Sequence, residues 1–184
     1  MNNFKISLAG DLGSGKSTVA KLIKEEYGAE IISAGKYLRE LAESLGMSIV
    51  DFNEYQKTHT EYDVILDNKM KEYENIDGKF VLDSRLAWHF VPSSFSVYLM
   101  CDIEVSASRV FDEKRQKEEY SSLEEAKKNL YKRKQLEAER YKIIYGIDVL
   151  DMSNYDLVVD SSYKTPQEVV KEIMDALIAS KKYK

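Results

Sequence analysis

Two glycines, a lysine and a serine stand at a fixed spacing in Gly10-Asp11-Leu12-Gly13-Ser14-Gly15-Lys16-Ser17, a run that reads G-x-x-x-x-G-K-S with a third glycine inside it. That spacing suits one chemistry, the gripping of a polyphosphate. Glycine lets the backbone turn tightly, so that successive N–H groups converge on one anion. A helix starting where the run ends adds its partial positive charge. Lys16 is then placed to reach the β- and γ-phosphates, and the Ser17 hydroxyl to ligate Mg²⁺. Gly10, Asp11, Leu12, Gly13, Ser14, Gly15, Lys16, Ser17 and Thr18 together form the expected nucleoside triphosphate site. The competing reading is a plain glycine turn. The apolar stretch Phe4–Ala9 before the run and the helical pattern Thr18–Lys24 behind it favour the phosphate loop.

Other groups fall where such a loop would use them. Asp83-Ser84-Arg85 follows the apolar Phe80-Val81-Leu82. A carboxylate directly after a strand is where phosphate-loop proteins place the acid that organises Mg²⁺ and its waters, so Asp83 joins Ser17 as an expected metal-site residue. Arg85 beside it offers a forked donor to a phosphate or a base edge; the alternative is a structural Asp–Arg pair. Ser33-Ala34-Gly35 leads into a helical pattern with Arg39 one turn inside. That arrangement serves either an acceptor site or a simple helix cap.

Between residues 109 and 142, eleven positive charges face eight negative ones, in a chain whose formal charge is −5. Arg133, Glu137 and Arg140 recur at i, i+4 and i+7, hence on one helix face. Arginines on a closing segment would neutralise the oxygens of a transferring phosphoryl group. A solvated helix laced with surface ion pairs has the same pattern.

Five short apolar segments read as buried strands: Phe4–Ala9, Ala29–Ser33, Lys79–Asp83, Phe95–Met100 and Asp156–Asp160. Helical patterns lie between them, at Ser17–Tyr27, Lys36–Leu45, Val50–Tyr55, Tyr62–Tyr73, Glu104–Lys114, Leu123–Ile144 and Pro166–Lys181. Thr165-Pro166-Gln167-Glu168 has the residues of a helix start, with a capping hydroxyl, proline at the first position and glutamate at the third. Alternation of this kind implies an α/β fold, a parallel sheet with helices on both faces and right-handed crossovers. Ligands bind beyond the carboxyl ends of such strands, which is where the loop, Ser33 and Asp83 fall. Residues 34–76 and 103–150 exceed what a crossover needs, and such surplus builds lids.

The length of 184 residues fits one domain over 1–184, able to bury a core. The negative net charge argues against nucleic acid as a partner. A single cysteine, Cys101, excludes an internal disulfide framework and reads as a buried strand-end residue. No apolar run approaches the roughly 20 residues of a membrane span, and the first strand begins too early for a signal peptide. A cytoplasmic protein with no membrane partner is the expectation. Trp88 and His89 read as core or rim residues rather than chemistry.

The sequence resembles the cytidylate kinases, in the short form typical of archaea and some bacteria. Four stretches carry the resemblance: Gly10–Thr18; Ser33-Ala34-Gly35 through Arg39 with Leu45-Gly46-Met47 behind it; Asp83-Ser84-Arg85-Leu86-Ala87; and Arg140-Tyr141-Lys142-Ile143-Ile144-Tyr145-Gly146-Ile147-Asp148. The resemblance implies a P-loop NTPase fold, three-layer α/β/α on a five-stranded parallel sheet. It assigns residues 34–76 to a monophosphate-binding region and 103–150 to a lid. It implies ATP as donor, Mg²⁺, CMP or dCMP as acceptor, and a monomer. By position, Ser33, Arg39, Asp83 and Arg85 would serve the acceptor, Glu137 its sugar, and Asp63, with Asp67 on the same helix face, an exocyclic amine. Lys16, Arg109, Arg115, Arg133 and Arg140 would act on the phosphates. The family usually has glycine where this chain has Ser84, which narrows the approach to the strand end. Two other readings compete: a deoxynucleoside kinase or other phosphate-loop small-molecule kinase, with Asp83 as base toward a hydroxyl, and a non-catalytic nucleotide-binding module. A guanine-reading N-K-x-D fails at Asn68-Lys69-Met70-Lys71.

Overall fold

A computed structural model describes residues 1–48, 51–52, 55–56, 58–59, 61–112 and 120–183. Five strands, β1 (Phe4–Gly10), β2 (Glu30–Ser33), β3 (Lys79–Asp83), β4 (Phe95–Met100) and β5 (Leu157–Asp160), form one parallel sheet in the order β2-β3-β1-β4-β5. Each falls within a residue of its expected position. The helices are α1 (Lys16–Tyr27), α2 (Ala34–Ser44), α3 (Glu61–Lys71), the one-turn α4 (Ala87–Phe90), α5 (Ile103–Asp112), α6 (Leu123–Tyr145) and α7 (Pro166–Ser180). The expected helix Val50–Tyr55 and the end of Glu104–Lys114 lie partly outside the described residues. The fold is the expected three-layer P-loop arrangement.

Alternation along the strands decides the layers. Ile6, Leu8, Val81, Val97, Leu99 and Val159 point to one face, where Val19 and Ile23 of α1 and Val169, Ile173 and Leu177 of α7 close the main core. The opposite faces of β3 and β4 send Phe80 and Leu82 toward Met70 and Ala87, and Tyr98 toward Tyr155. Trp88 packs half-buried against the Tyr98–Tyr155 group, and His89 is exposed. Met70 is a core residue inside α3, so Asn68–Lys71 is helix and not a base-reading loop.

Local chemistry starts the helices where the site needs them. Gly15 takes the left-handed conformation at the start of α1, so the loop runs straight into the helix. The Ser33 hydroxyl accepts from the Lys36 amide and caps α2 directly at the end of β2. Thr165 and Glu168 form a reciprocal capping box with Pro166 at the first position of α7. By contrast α6 is a 23-residue helix with just two buried residues, Ala126 and Leu130, both in its first third. These pack on Ala107 and Val110 of α5, and the rest of α6 lies over the carboxyl ends of the strands.

Candidate functional site

β1 and β4 pair as far as Gly10 and Leu99, which brings the glycine backbone against its neighbour. A Cβ at Gly10 would lie 2.5 Å from the Leu99 carbonyl oxygen, and φ is 151°. Only glycine fits without moving the strand. At Gly13 a Cβ would lie 2.8 Å from the Ser106 carbonyl oxygen. The loop is thereby wedged between β4 and α5 before it opens onto α1.

Within it the Lys16 Nζ donates to the carbonyl oxygens of Gly10 and Asp11, at 2.8 Å each. Burial, with the Arg85 guanidinium beside it, draws the Lys16 ammonium down from its usual range to about 7. The Ser14 hydroxyl donates to the Asp11 carbonyl at 2.7 Å. Ser17 and Thr18 are exposed on the first turn of α1. Leu12 packs with the cluster under α5 and α6.

Asp11 faces away from the loop's mouth. One carboxylate oxygen accepts from the Cys101 amide at 3.0 Å, and the other from the Tyr98 hydroxyl at 2.7 Å. The second oxygen also pairs with Lys134 Nζ at 2.7 Å. Burial and the Asp11 charge raise the Tyr98 phenol well above its ordinary pKa, so it stays a donor.

Beyond β3, Arg85 donates through Nε to Glu137 Oε2 at 2.9 Å and through Nη1 to the Gly10 carbonyl. Burial works against its charge. The Glu137 carboxylate, aided by the Tyr141 and Tyr98 oxygens, more than offsets this and holds its pKa above the ordinary arginine value. Asp83 accepts from the Ser33 hydroxyl at 3.2 Å, joining the ends of β2 and β3. Arg39 is exposed on α2, its guanidinium beside Gly35. Arg140 spans to Asp63 of α3, with Nη2 at 2.6 and 2.8 Å from the two carboxylate oxygens. One turn on, the Tyr145 hydroxyl donates to Asp67 at 2.8 Å. Burial raises the Asp67 pKa, against that hydrogen bond and Lys71.

The structure therefore gathers Lys16, Ser33, Asp83, Arg85 and Glu137 around the end of β1, with Asp63 and Arg140 bridging α3 and α6 at the rim. Arg133 is exposed on α6, one turn before Glu137. Arg109 turns to main-chain oxygens, donating to Gly13 at 3.2 Å, Ser161 at 2.9 Å and Ser162 at 3.0 Å. Arg115 lies outside the described residues. Sequence reasoning did not single out Lys134, Tyr98, Tyr141, Tyr145 or the Ser161–Ser162 turn as site residues. Only strand pairing and the crossing of α6 bring them in. Cys101 is buried just after β4, as expected.

The oxygen donors Ser17 and Asp83 suit a hard cation. No group of three or more His, Cys, Asp or Glu poised for a metal occurs among the described residues.

A cavity of about 730 Å³ opens between Asp11, Tyr98 and the Lys134–Glu137 turn of α6. It borders the loop on the β4 side, while Ser33, Arg39 and Asp83 lie on the β2–β3 side. No helix among the described residues is long and apolar enough to cross a membrane.

Residues 5–163 match the sequence profile of the cytidylate kinase-like family. The cytidylate kinase of Thermoplasma volcanium is 35% identical over 177 residues, 94% of this chain and 90% of that protein. The S-adenosylmethionine-dependent nucleotide dehydratase of Lacinutrix mariniflava is 36% identical over 172 residues, which are 93% of this chain but 35% of that longer protein. Among solved structures, shikimate kinase from Aquifex aeolicus superposes with a TM-score of 0.61 at 23% identity, over 96% of this chain and 98% of that one, a likeness of fold. With the phosphate loop, the strand order and the profile match in agreement, the chain belongs to the cytidylate kinase-like family.

Proposed function

We propose that the protein is an ATP-dependent nucleoside monophosphate kinase that converts CMP or dCMP to the diphosphate. One observation carries the reading: two buried or half-buried cations, Lys16 and Arg85, meet at the Gly10 carbonyl, at the junction of the phosphate loop and the β3 end. A site that concentrates positive charge on both sides of that point is built for two anionic guests. An acceptor with a neutral hydroxyl needs a general base more than a second guanidinium. The named relatives, cytidylate kinases and a nucleotide dehydratase, support a nucleotide acceptor.

In this reading the loop amides and Lys16 hold the ATP phosphates, with Lys16 leaving the carbonyls of Gly10 and Asp11. Ser17 and Asp83 would hold Mg²⁺, which when bound draws charge off the transferring phosphoryl oxygens. Ser33, Arg39 and Arg85 bind the acceptor phosphate, Glu137 the sugar, and Asp63 the base. Residues 34–76 act as the monophosphate-binding region and 103–150 as the lid. Closure brings Arg133 and Arg140, with Arg115 as a further candidate, toward the phosphates and excludes water. Arg109 supports catalysis by bracing Gly13 against the turn after β5. The acceptor phosphate is already anionic at neutral pH, so positioning and charge neutralisation do the work. The reading is that of a monomer acting on nucleotides in the cytoplasm.

The test is product identity. ³¹P NMR of enzyme, Mg²⁺, ATP and CMP should show the β-phosphate of CDP accumulating as ATP is consumed. Cytidine in place of CMP should give no CMP. Phosphorylation of cytidine with CMP left untouched would replace this reading by the nucleoside kinase.

A further inference from the structure

Helix α6 carries the groups proposed to meet both substrates, yet beyond Leu130 none of its residues is buried. Under its middle lies the cavity of about 730 Å³, so apolar packing does not set the helix's rotation there. Polar ties span the gap instead. Glu137 pairs with Arg85, which itself donates to the Gly10 carbonyl. Three residues earlier, and so on a neighbouring strip of the helix surface, Lys134 pairs with Asp11. The two ties grip successive residues of the loop, Gly10 and Asp11.

Asp11 is built to be an anchor. Its side chain is 9% exposed and its oxygens are fixed by the Tyr98 hydroxyl and the Cys101 amide. The same residue's carbonyl is a resting place of Lys16. The carboxylate faces away from the loop's mouth, and Lys134 meets it from the lid side. Lys134 is 39% exposed and reaches Asp11 from outside, so the tie can form and break without unpacking the core.

Resting on the kinase reading above, we infer that Lys134 is a positioning residue: its ion pair with Asp11 couples the phosphate loop to α6. The tie fixes the rotation of α6, and so aims the Arg133–Glu137–Arg140 face at the phosphates. Lys134 acts through Asp11 and does not itself touch the nucleotide.

The experiment is a double-mutant cycle on Asp11→Asn, Lys134→Met and the pair, with two readouts. The Asn variant removes the charge and keeps a carbonyl acceptor for the Cys101 amide, while its NH2 group faces the Tyr98 hydroxyl, which can turn to accept. In the nucleotide-free protein, hydrogen exchange of the α6 amides around residues 131–140 should speed up equally in both single variants, with no further gain in the double. In turnover, each single variant should lose about tenfold in kcat with less than about a twofold change in KM for ATP. The double should lose no more than either single, and Lys134→Arg should recover most of the loss. Unchanged exchange in the single variants overturns the coupling, whatever the enzyme's substrate. Faster exchange with wild-type kcat overturns the positioning role. Additive losses, or a KM effect as large as the kcat effect, would show Lys134 on the nucleotide itself and also overturn it. A wild-type protein inert toward every nucleoside monophosphate would defeat the kinase reading alone, leaving the exchange measurement to judge the tie.

Discussion

Lys16 is the residue on which the account turns, and its surroundings make a proton part of binding. Burial and the neighbouring Arg85 hold its pKa near 7 in the free protein. Between about pH 7 and the ordinary lysine value of 10.5 the unfolded chain therefore holds more protons at this site than the native one. The stability of the free protein should rise with pH over that window on account of this group. A bound triphosphate favours the charged form and reverses the shift. At pH 8, where ATP is already fully ionised, binding should take up a proton. Calorimetric titrations in two buffers of different ionisation enthalpy should give a positive uptake that shrinks below pH 6.5. Zero uptake at pH 8 would show that Lys16 is charged before the nucleotide arrives. The loop residues were legible in the sequence because their chemistry is local: glycines, lysine and hydroxyl lie within eight positions. Arg109 was legible as a cation near the site, but its contacts with Gly13, Ser161 and Ser162 join residues 52 to 96 positions apart, beyond any local pattern.

At the scale of elements, the junction of α3 with α6 is held by Arg140–Asp63 and Tyr145–Asp67. Asp67 is buried, and burial raises its pKa, so its ionised form is disfavoured in the native state relative to the unfolded chain. As pH rises above the ordinary carboxylate range, this group subtracts from stability. Asp67→Asn keeps an acceptor for the Tyr145 hydroxyl and removes the charge. Its melting temperature should exceed the wild type's at pH 7, and the difference should narrow toward pH 4 as the aspartate takes up its proton. Equal or lower melting temperatures at both values would mean that the Asp67 charge is well compensated. The periodicity of α6 and the shared face of Arg133, Glu137 and Arg140 were plain in the sequence. Their partners were not, because on a helix that buries two side chains a charge tied to the loop and a charge in solvent look alike. Lys134 and Lys132 differ in sequence only by position; the crossing of α6 over β1 and β4 gives one of them Asp11.

For the whole molecule, the order β2-β3-β1-β4-β5 puts the loop after the central strand, with the Ser33–Asp83 pair on one side and the Tyr98–Asp11 network on the other. The chain's −5 charge is unevenly spread. Helix α6 is net positive and leans over this centre, so the field at the cleft opposes that of the body. Such an arrangement draws small polyanions to the strand ends. What the acceptor is follows from the groups at the β2–β3 ends, and one measurement asks that question most directly. A coupled ADP-release assay should be run with saturating Mg·ATP across CMP, dCMP, UMP, AMP, cytidine and shikimate. The highest kcat/KM is expected for CMP or dCMP, with lower values for UMP and AMP, no turnover of cytidine or shikimate, and none of any acceptor by Lys16→Ala. ADP release that no monophosphate accelerates, or that a non-phosphorylated acceptor drives, would contradict this expectation.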